Sequence, residues 1–141
     1  MASHNSLHWD GLEELKSALR NLPSHLTAEA AALVIAAGTG AKAEIVAAYP
    51  IGPTGNLRRG VTTQEQHSQF GVTVMVKSRA NHAWIFENGT RRRQTDTGAN
   101  RGEMPAKHIF IPIMTRRRRA MYEALNSLLT RNGLVVSGKP S

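Results

Sequence analysis

The sequence predicts an α+β fold: a small antiparallel sheet packed against a long helix and a C-terminal helix, with a long polar loop between them. Three observations carry this expectation. Residues 24–48 are alanine-rich and favour helix. Phe70, Val72, Val74 and Val76 alternate with Gly71, Thr73, Met75 and Lys77, the period of a strand. Residues 90–107 then lose apolar periodicity, which returns only at His108.

The elements follow in order. Asp10-Gly11-Leu12-Glu13 has the form of a capping box, and Leu12, Leu15, Leu19 and Leu22 recur at helical spacing until Pro23 stops the run. In residues 24–48 the stripe Leu26, Ala30, Leu33, Ala37, Ala41 and Ile45 is mostly small, so this helix can lie close to a sheet or another helix. Gly38-Thr39-Gly40 interrupts it, each glycine costing roughly 1 kcal/mol against alanine, which predicts a kink or a close packing contact. A phosphate-loop reading of Gly38-Thr39-Gly40-Ala41-Lys42 fails, because no Gly-Lys-Ser/Thr follows and no strand precedes it. Tyr49-Pro50-Ile51-Gly52-Pro53-Thr54-Gly55 makes a turn-rich connection. Strands are expected over residues 57–63, 70–77 and 83–87, the last closed by Asn88-Gly89, as an antiparallel meander with Trp84 and Phe86 in the core.

Residues 90–107 form a polar loop, functional or disordered at such a length. A last helix, entered near Pro112, runs to about residue 130 with Met121, Leu125 and Leu128 on one face, and Asn132-Gly133 ends it. Leu134-Val135-Val136 is a short edge strand or an arm. The chain thus reads as one domain, with a flexible N-terminus over 1–9, a core over 10–131 and a tail over 132–141.

Several function classes find no support. No uninterrupted run of about 18 apolar residues occurs, so no membrane-spanning helix and no membrane partner is expected. The first residues are polar and lack a signal-peptide pattern. The absence of cysteine excludes disulfides, thiol chemistry and thiolate metal sites, and fits assembly in a cytoplasm. His4, His8, His25, His67, His82 and His108 are scattered without a ligand spacing. There is no His-Glu-x-x-His, no Gly-x-Ser-x-Gly and no paired carboxylate motif, so neither catalysis nor a cofactor nor a metal is expected. An enzyme would need a pocket converging on His67, His82 or His108. Asn88-Gly89-Thr90 matches a glycosylation sequon but makes ready sense as a turn.

The charge is lopsided. The net +8 divides into −2 over residues 1–50 and +10 over residues 51–141. Thirteen of the eighteen basic residues are arginine, and seven lie in two runs: Arg91, Arg92, Arg93 and Arg116, Arg117, Arg118, Arg119. The bland reading is a solvated, solubilising surface. Arginine's planar fork instead suits bidentate phosphate or carboxylate, and such asymmetry predicts an anionic partner for the second half. A run near the start of the last helix opposes the helix dipole unless an anion sits there. The loop holds no aromatic side chain to stack bases, so contact to backbone phosphate is expected rather than base stacking.

Three segments resemble the siphophage neck and tail-component family. Pro53-Thr54-Gly55-Asn56-Leu57-Arg58 is similar to its Thr-Gly-x-Leu-Arg turn into a strand. Ala83-Trp84-Ile85-Phe86-Glu87-Asn88-Gly89-Thr90 is similar to its aromatic-rich strand ending Glu-x-Gly-Thr. Met104-Pro105-Ala106-Lys107-His108-Ile109-Phe110-Ile111-Pro112 resembles its approach to the final helix, two prolines bracketing a basic residue and a phenylalanine. The likeness spans roughly residues 10–130. Ile113, where alanine is usual, and the dense arginine runs depart from the pattern.

The resemblance implies a non-enzymatic virion protein forming a ring, of six copies, at the head–tail junction around the channel through which DNA leaves. Its partners would be itself, adjacent connector or tail-tube rings, and genomic DNA. Arg91, Arg92, Arg93, Arg101, Arg116, Arg117, Arg118 and Arg119 are the candidates for contact with DNA or a partner. Gly55, Leu57, Trp84, Phe86, Glu87, Gly89, Pro105, Phe110 and Pro112 are the structural motif residues. The competing reading is a free, sequence-independent nucleic-acid-binding protein.

Overall fold

The computed structural model describes residues 24–69 and 71–134. The expected helix around Leu12, Leu15, Leu19 and Leu22, the side chain of Phe70 and the Val135-Val136 arm lie outside the described residues. The order is α1 (Ser24–Ala48), α2 (Asn56–Arg59), β1 (Val61–Ser68), β2 (Gly71–Ser78), α3 (Ala83–Asn88) and α4 (Phe110–Arg131). Helices and an antiparallel sheet pack as the α+β class expected from the sequence.

Among the described residues the sheet has two strands, not the three expected. β1 pairs antiparallel with β2 in a register that sets Val61 opposite Ser78, Thr63 opposite Val76 and Ser68 opposite Gly71. An isolated two-stranded ribbon is marginal in water, so this one depends on the helix behind it. That dependence explains the glycines of α1. A methyl carbon at Gly38 would lie 2.3 Å from Val74 Cγ1, so the missing side chain is what admits β2 to the helix surface. A methyl at Gly40 would meet the Arg117 guanidinium at 2.8 Å. Of the two expectations for Gly38-Thr39-Gly40, the close packing contact is the one observed, and the helix is unbroken through it.

α1 and α4 run antiparallel. Glu44 pairs with Arg116 and Arg117 at one end, and Glu29 with Arg131 at 3.3 Å at the other. Between them Ile113, Arg117, Met121, Ala124 or Leu125, and Leu128 follow the three-to-four spacing of one helix face, and Ile113 and Leu128 on it are buried. By length and composition α1 is apolar enough to cross a membrane, contrary to the expectation above. In the fold it is the helix on which both strands and α4 pack.

The core collects one or two side chains from every element: Ala41, Ile45 and Tyr49, Leu57, Val61, Val76, Ala83 and Phe86, and Ile113. Tyr49 and Phe86 meet edge to face, with centroids 5.4 Å apart and planes at 79°.

Two expected strands are corrected. Residues 57–59 belong to the helical turn α2, opened by Gly55 at φ 63°, and the strand begins only at Val61. Residues 83–88 are helix rather than strand. Ala83 and Phe86 therefore share the buried side at helical spacing, while Trp84, expected in the core, is 70 % exposed. In a strand Trp84 and Phe86 would have faced the same way; a helix separates them by two steps of roughly 100°.

Candidate functional site

The three motif segments, far apart in sequence, converge on one junction built around Glu87. Its carboxylate accepts the Ile109 N–H at Oε2 (2.7 Å) and the Phe110 N–H at Oε1 (3.0 Å). These are two of the unpaired amides at the start of α4, and an anion there is favoured by the helix dipole as well. The Tyr49 hydroxyl donates to Oε1 from the other side at 2.7 Å. Burial, and then the hydrogen bond and charge of Glu87, push the Tyr49 phenol above its ordinary range. Arg58 of the first motif donates from Nε to the Tyr49 carbonyl at 2.6 Å, closing the C-terminal end of α1.

Gly89 is the tightest point of the junction. It sits at φ 72°, and a methyl carbon there would lie 2.5 Å from the Met104 carbonyl oxygen and 2.8 Å from the Ala106 nitrogen. Both steric demands select glycine. Beside it the Thr90 N–H donates to Met104 O (2.9 Å) and the Met104 N–H to Thr90 Oγ1 (3.1 Å). The Lys107 and His108 amides donate to the carbonyls of Phe86 and Glu87 at 3.2 and 3.3 Å. His108 takes φ 45°, a left-handed conformation that histidine tolerates better than most side chains, and turns the chain into α4. Leu57 and Phe86 are buried, Phe110 packs half-buried against the core, and Pro105 and Pro112 are exposed. α4 begins at Phe110, two residues before Pro112.

Residues 90–107 are an ordered two-stranded arm, not a featureless loop. Thr90 pairs with Met104 and Gln94 with Asn100 in antiparallel bridges of the same register. At the tip the Gly98 N–H donates to Thr95 O at 2.8 Å and the Thr95 N–H to Ala99 O at 2.9 Å, with Gly98 at φ 79°. This is a hairpin turn closed by a left-handed glycine. Between the bridges the Arg101 N–H donates to Arg93 O at 2.8 Å and the Arg93 N–H to Gly102 O at 3.2 Å, so Arg93 is shared between Arg101 and Gly102 in a bulge. The exposed Arg91, Arg92, Arg93 and Arg101 side chains form no ion pair or side-chain hydrogen bond among the described residues.

The second arginine run divides. Arg116 donates to Glu44 Oε2 at 2.6 Å, Arg117 donates to Glu44 Oε1, and the pair, Arg117 first, holds the Glu44 carboxyl below its usual range. Arg117 lies over Gly40 in the α1–α4 seam with its Nε unpartnered among the described residues. Arg118 and Arg119 are exposed. The expected anion site at the start of the last helix is not formed by this run: Arg116 falls in the second turn, and Glu87 of the chain itself occupies the helix start. Sequence reasoning missed the roles of Tyr49 and Glu44; an aromatic directly after a long helix and one of two carboxylates on an alanine-rich one were the signals.

Among the described residues no group of three histidines, aspartates or glutamates is placed to hold a metal ion. The chain matches no protein-family model, no curated protein and no solved structure.

Proposed function

We propose that this protein is a virion structural protein that assembles into a ring at the head–tail junction of a tailed phage, as a neck, tail-completion or tail-terminator component surrounding the DNA channel. The reading rests first on the motif resemblance, and the junction supports it, since the three resembling segments meet at Glu87, Tyr49 and Gly89. The observation that carries it is Trp84. A tryptophan 70 % exposed on a helical turn pinned at Glu87 and Gly89 is a rigid apolar anchor left largely uncovered by the described residues. Ile111, 69 % exposed just inside α4, adds a second anchor from an element held by the same carboxylate. Large apolar side chains presented on fixed supports are the usual centre of a subunit interface. A ring needs two different faces on each subunit, and the body and the projecting arm supply two.

Sedimentation of the purified protein and mass spectrometry of purified particles test this together. A discrete closed oligomer, and the protein's presence in particles, are expected. Monomer at high concentration together with absence from particles overturns the reading. The four unpaired arginines of the arm favour the second reading, a free nucleic-acid-binding protein. That one expects binding by a monomer or dimer that particles lack.

A further inference from the structure

The arginines of the arm and those of α4 form a single class by composition, yet the fold treats them differently. Arg116 and Arg117 are neutralised by Glu44. Arg93 and Arg101 are cross-strand neighbours on a hydrogen-bonded ribbon, the Arg101 N–H donating to Arg93 O, with Arg91 and Arg92 next to them and no ion pair to any of the four among the described residues. Like charges on neighbouring positions of two paired strands repel, and a bound anion relieves that repulsion. Planar guanidinium forks gathered on one narrow ribbon can share one phosphate or grip two in succession.

Besides the carboxylates Asp96 and Glu103, which leave the arginines in excess, the exposed polar side chains on the arm point to the kind of anion. Gln94, Thr97 and Asn100 are amides and a hydroxyl, the types that join arginine in contacts to the sugar–phosphate backbone. An acidic protein surface would be met by apolar or aromatic anchors as well, and the arm's exposed positions between Arg91 and Glu103 offer none larger than Ala99. Arm glycines Gly98 and Gly102 at positive φ keep the tip and the flank of the ribbon narrow, with nothing within 4 Å of where a methyl would stand.

We infer that residues 90–107 form a phosphate-gripping ribbon, in which Arg93 and Arg101, joined across its strands by a backbone hydrogen bond, hold the sugar–phosphate backbone of duplex DNA without reading its sequence. The identity of that DNA as the genome in the channel rests on the reading above; the grip itself rests on the geometry of the arm.

The test is binding of the full-length protein to short duplexes of two unrelated sequences over a range of salt concentrations. Four arginines on phosphate give a slope of log K against log salt of about −3 to −4, the same for both sequences. Arg93→Gln with Arg101→Gln reduces the slope by about 2, whereas Arg93→Lys with Arg101→Lys, which keeps both charges, retains most of it. Arg131→Gln, at a surface arginine paired with Glu29 outside the arm, leaves it unchanged. Absence of duplex binding at low salt, a slope untouched by the glutamine pair, or polyglutamate competing as well as duplex each overturns the inference. A monomeric protein missing from particles but showing this slope overturns only the ring; a ring without the slope overturns only the grip.

Discussion

The Glu87 carboxylate and the Ile109 amide, 22 residues apart, meet at 2.7 Å, so the start of the last helix is capped by a side chain from the helical turn before the arm. The same carboxylate takes the Tyr49 hydroxyl and the Phe110 amide. Removing it leaves three donors to find other partners. Glu87→Ala is expected to lower unfolding free energy by about 2–4 kcal/mol, and Glu87→Gln by about half as much because it keeps one acceptor. Urea denaturation reads both; an alanine variant within about 0.5 kcal/mol of wild type would show that the junction does not hold the helix.

Tyr49 sets an alkaline limit. Its phenol is raised in the folded protein, so the folded state binds its proton more tightly than the unfolded chain does. Stability from this group is complete below the ordinary tyrosine pKa of about 10 and declines as pH rises beyond it. Tyr49→Phe should cost about 1 kcal/mol at neutral pH and flatten that decline. Thermal melts from pH 8 to 11 check it: a decline as steep in the variant as in wild type counts against the assignment.

Glu44 acts at the opposite end of the scale. Its carboxyl is lowered by Arg117 and Arg116, so its contribution is present above the ordinary glutamate pKa of about 4.3 and is lost as pH falls below that value. Glu44→Gln removes this acid-side loss and leaves two arginines unneutralised on α4. Acid titration of unfolding for the two proteins should give curves that differ most at neutral pH and converge toward pH 3; parallel curves would contradict the pairing.

Two glycines separate propensity from packing. Gly38→Ala gains roughly 1 kcal/mol of helix propensity. Its methyl, however, falls 2.3 Å from Val74 Cγ1, and overpacking of that kind costs about 1–3 kcal/mol, so net destabilisation is expected. Gly89→Ala adds a left-handed backbone penalty to a collision with the Met104 carbonyl oxygen at 2.5 Å and should cost more, about 2–4 kcal/mol. Equilibrium unfolding ranks them. A stabilised Gly38→Ala would mean that β2 does not lie where the register sets it.

Trp84→Ala separates assembly from folding. At 70 % exposure the side chain contributes little to the subunit's own stability, so the melting temperature of the isolated subunit should hold within about 0.5 kcal/mol equivalent while the oligomer weakens. Sedimentation at matched concentration reads the difference, and an oligomer of undiminished stability would remove Trp84 from the interface.

Much of the fold was legible because long periodic segments announce themselves. α1 was bounded at residues 24–48 by composition, and β2 by its strict alternation. The failures share a cause. Ala83-Trp84-Ile85-Phe86-Glu87 carries aromatic and β-branched side chains that favour strand, but Glu87 binds distant backbone and the Gly89 N–H closes on Ile85 O, which together hold it as a helical turn. The outer half of β1, Gln64 to Ser68, is exposed on both faces, so no burial pattern marked it. In the site the exposed arginines were visible as a run, whereas their division into free and neutralised sets depends on Glu44, more than seventy residues away.

The arm leaves the body at Gly89–Thr90 and returns at Met104 and Ala106, points that touch one another. A segment whose two ends are fastened together adds its length to the protein without moving anything else. Doubling such an excursion costs only about 0.6 kcal/mol of closure entropy. Its contents are therefore interchangeable: residues 91–103 can lengthen, shorten or exchange their charges while the body that grips their ends stays as it is.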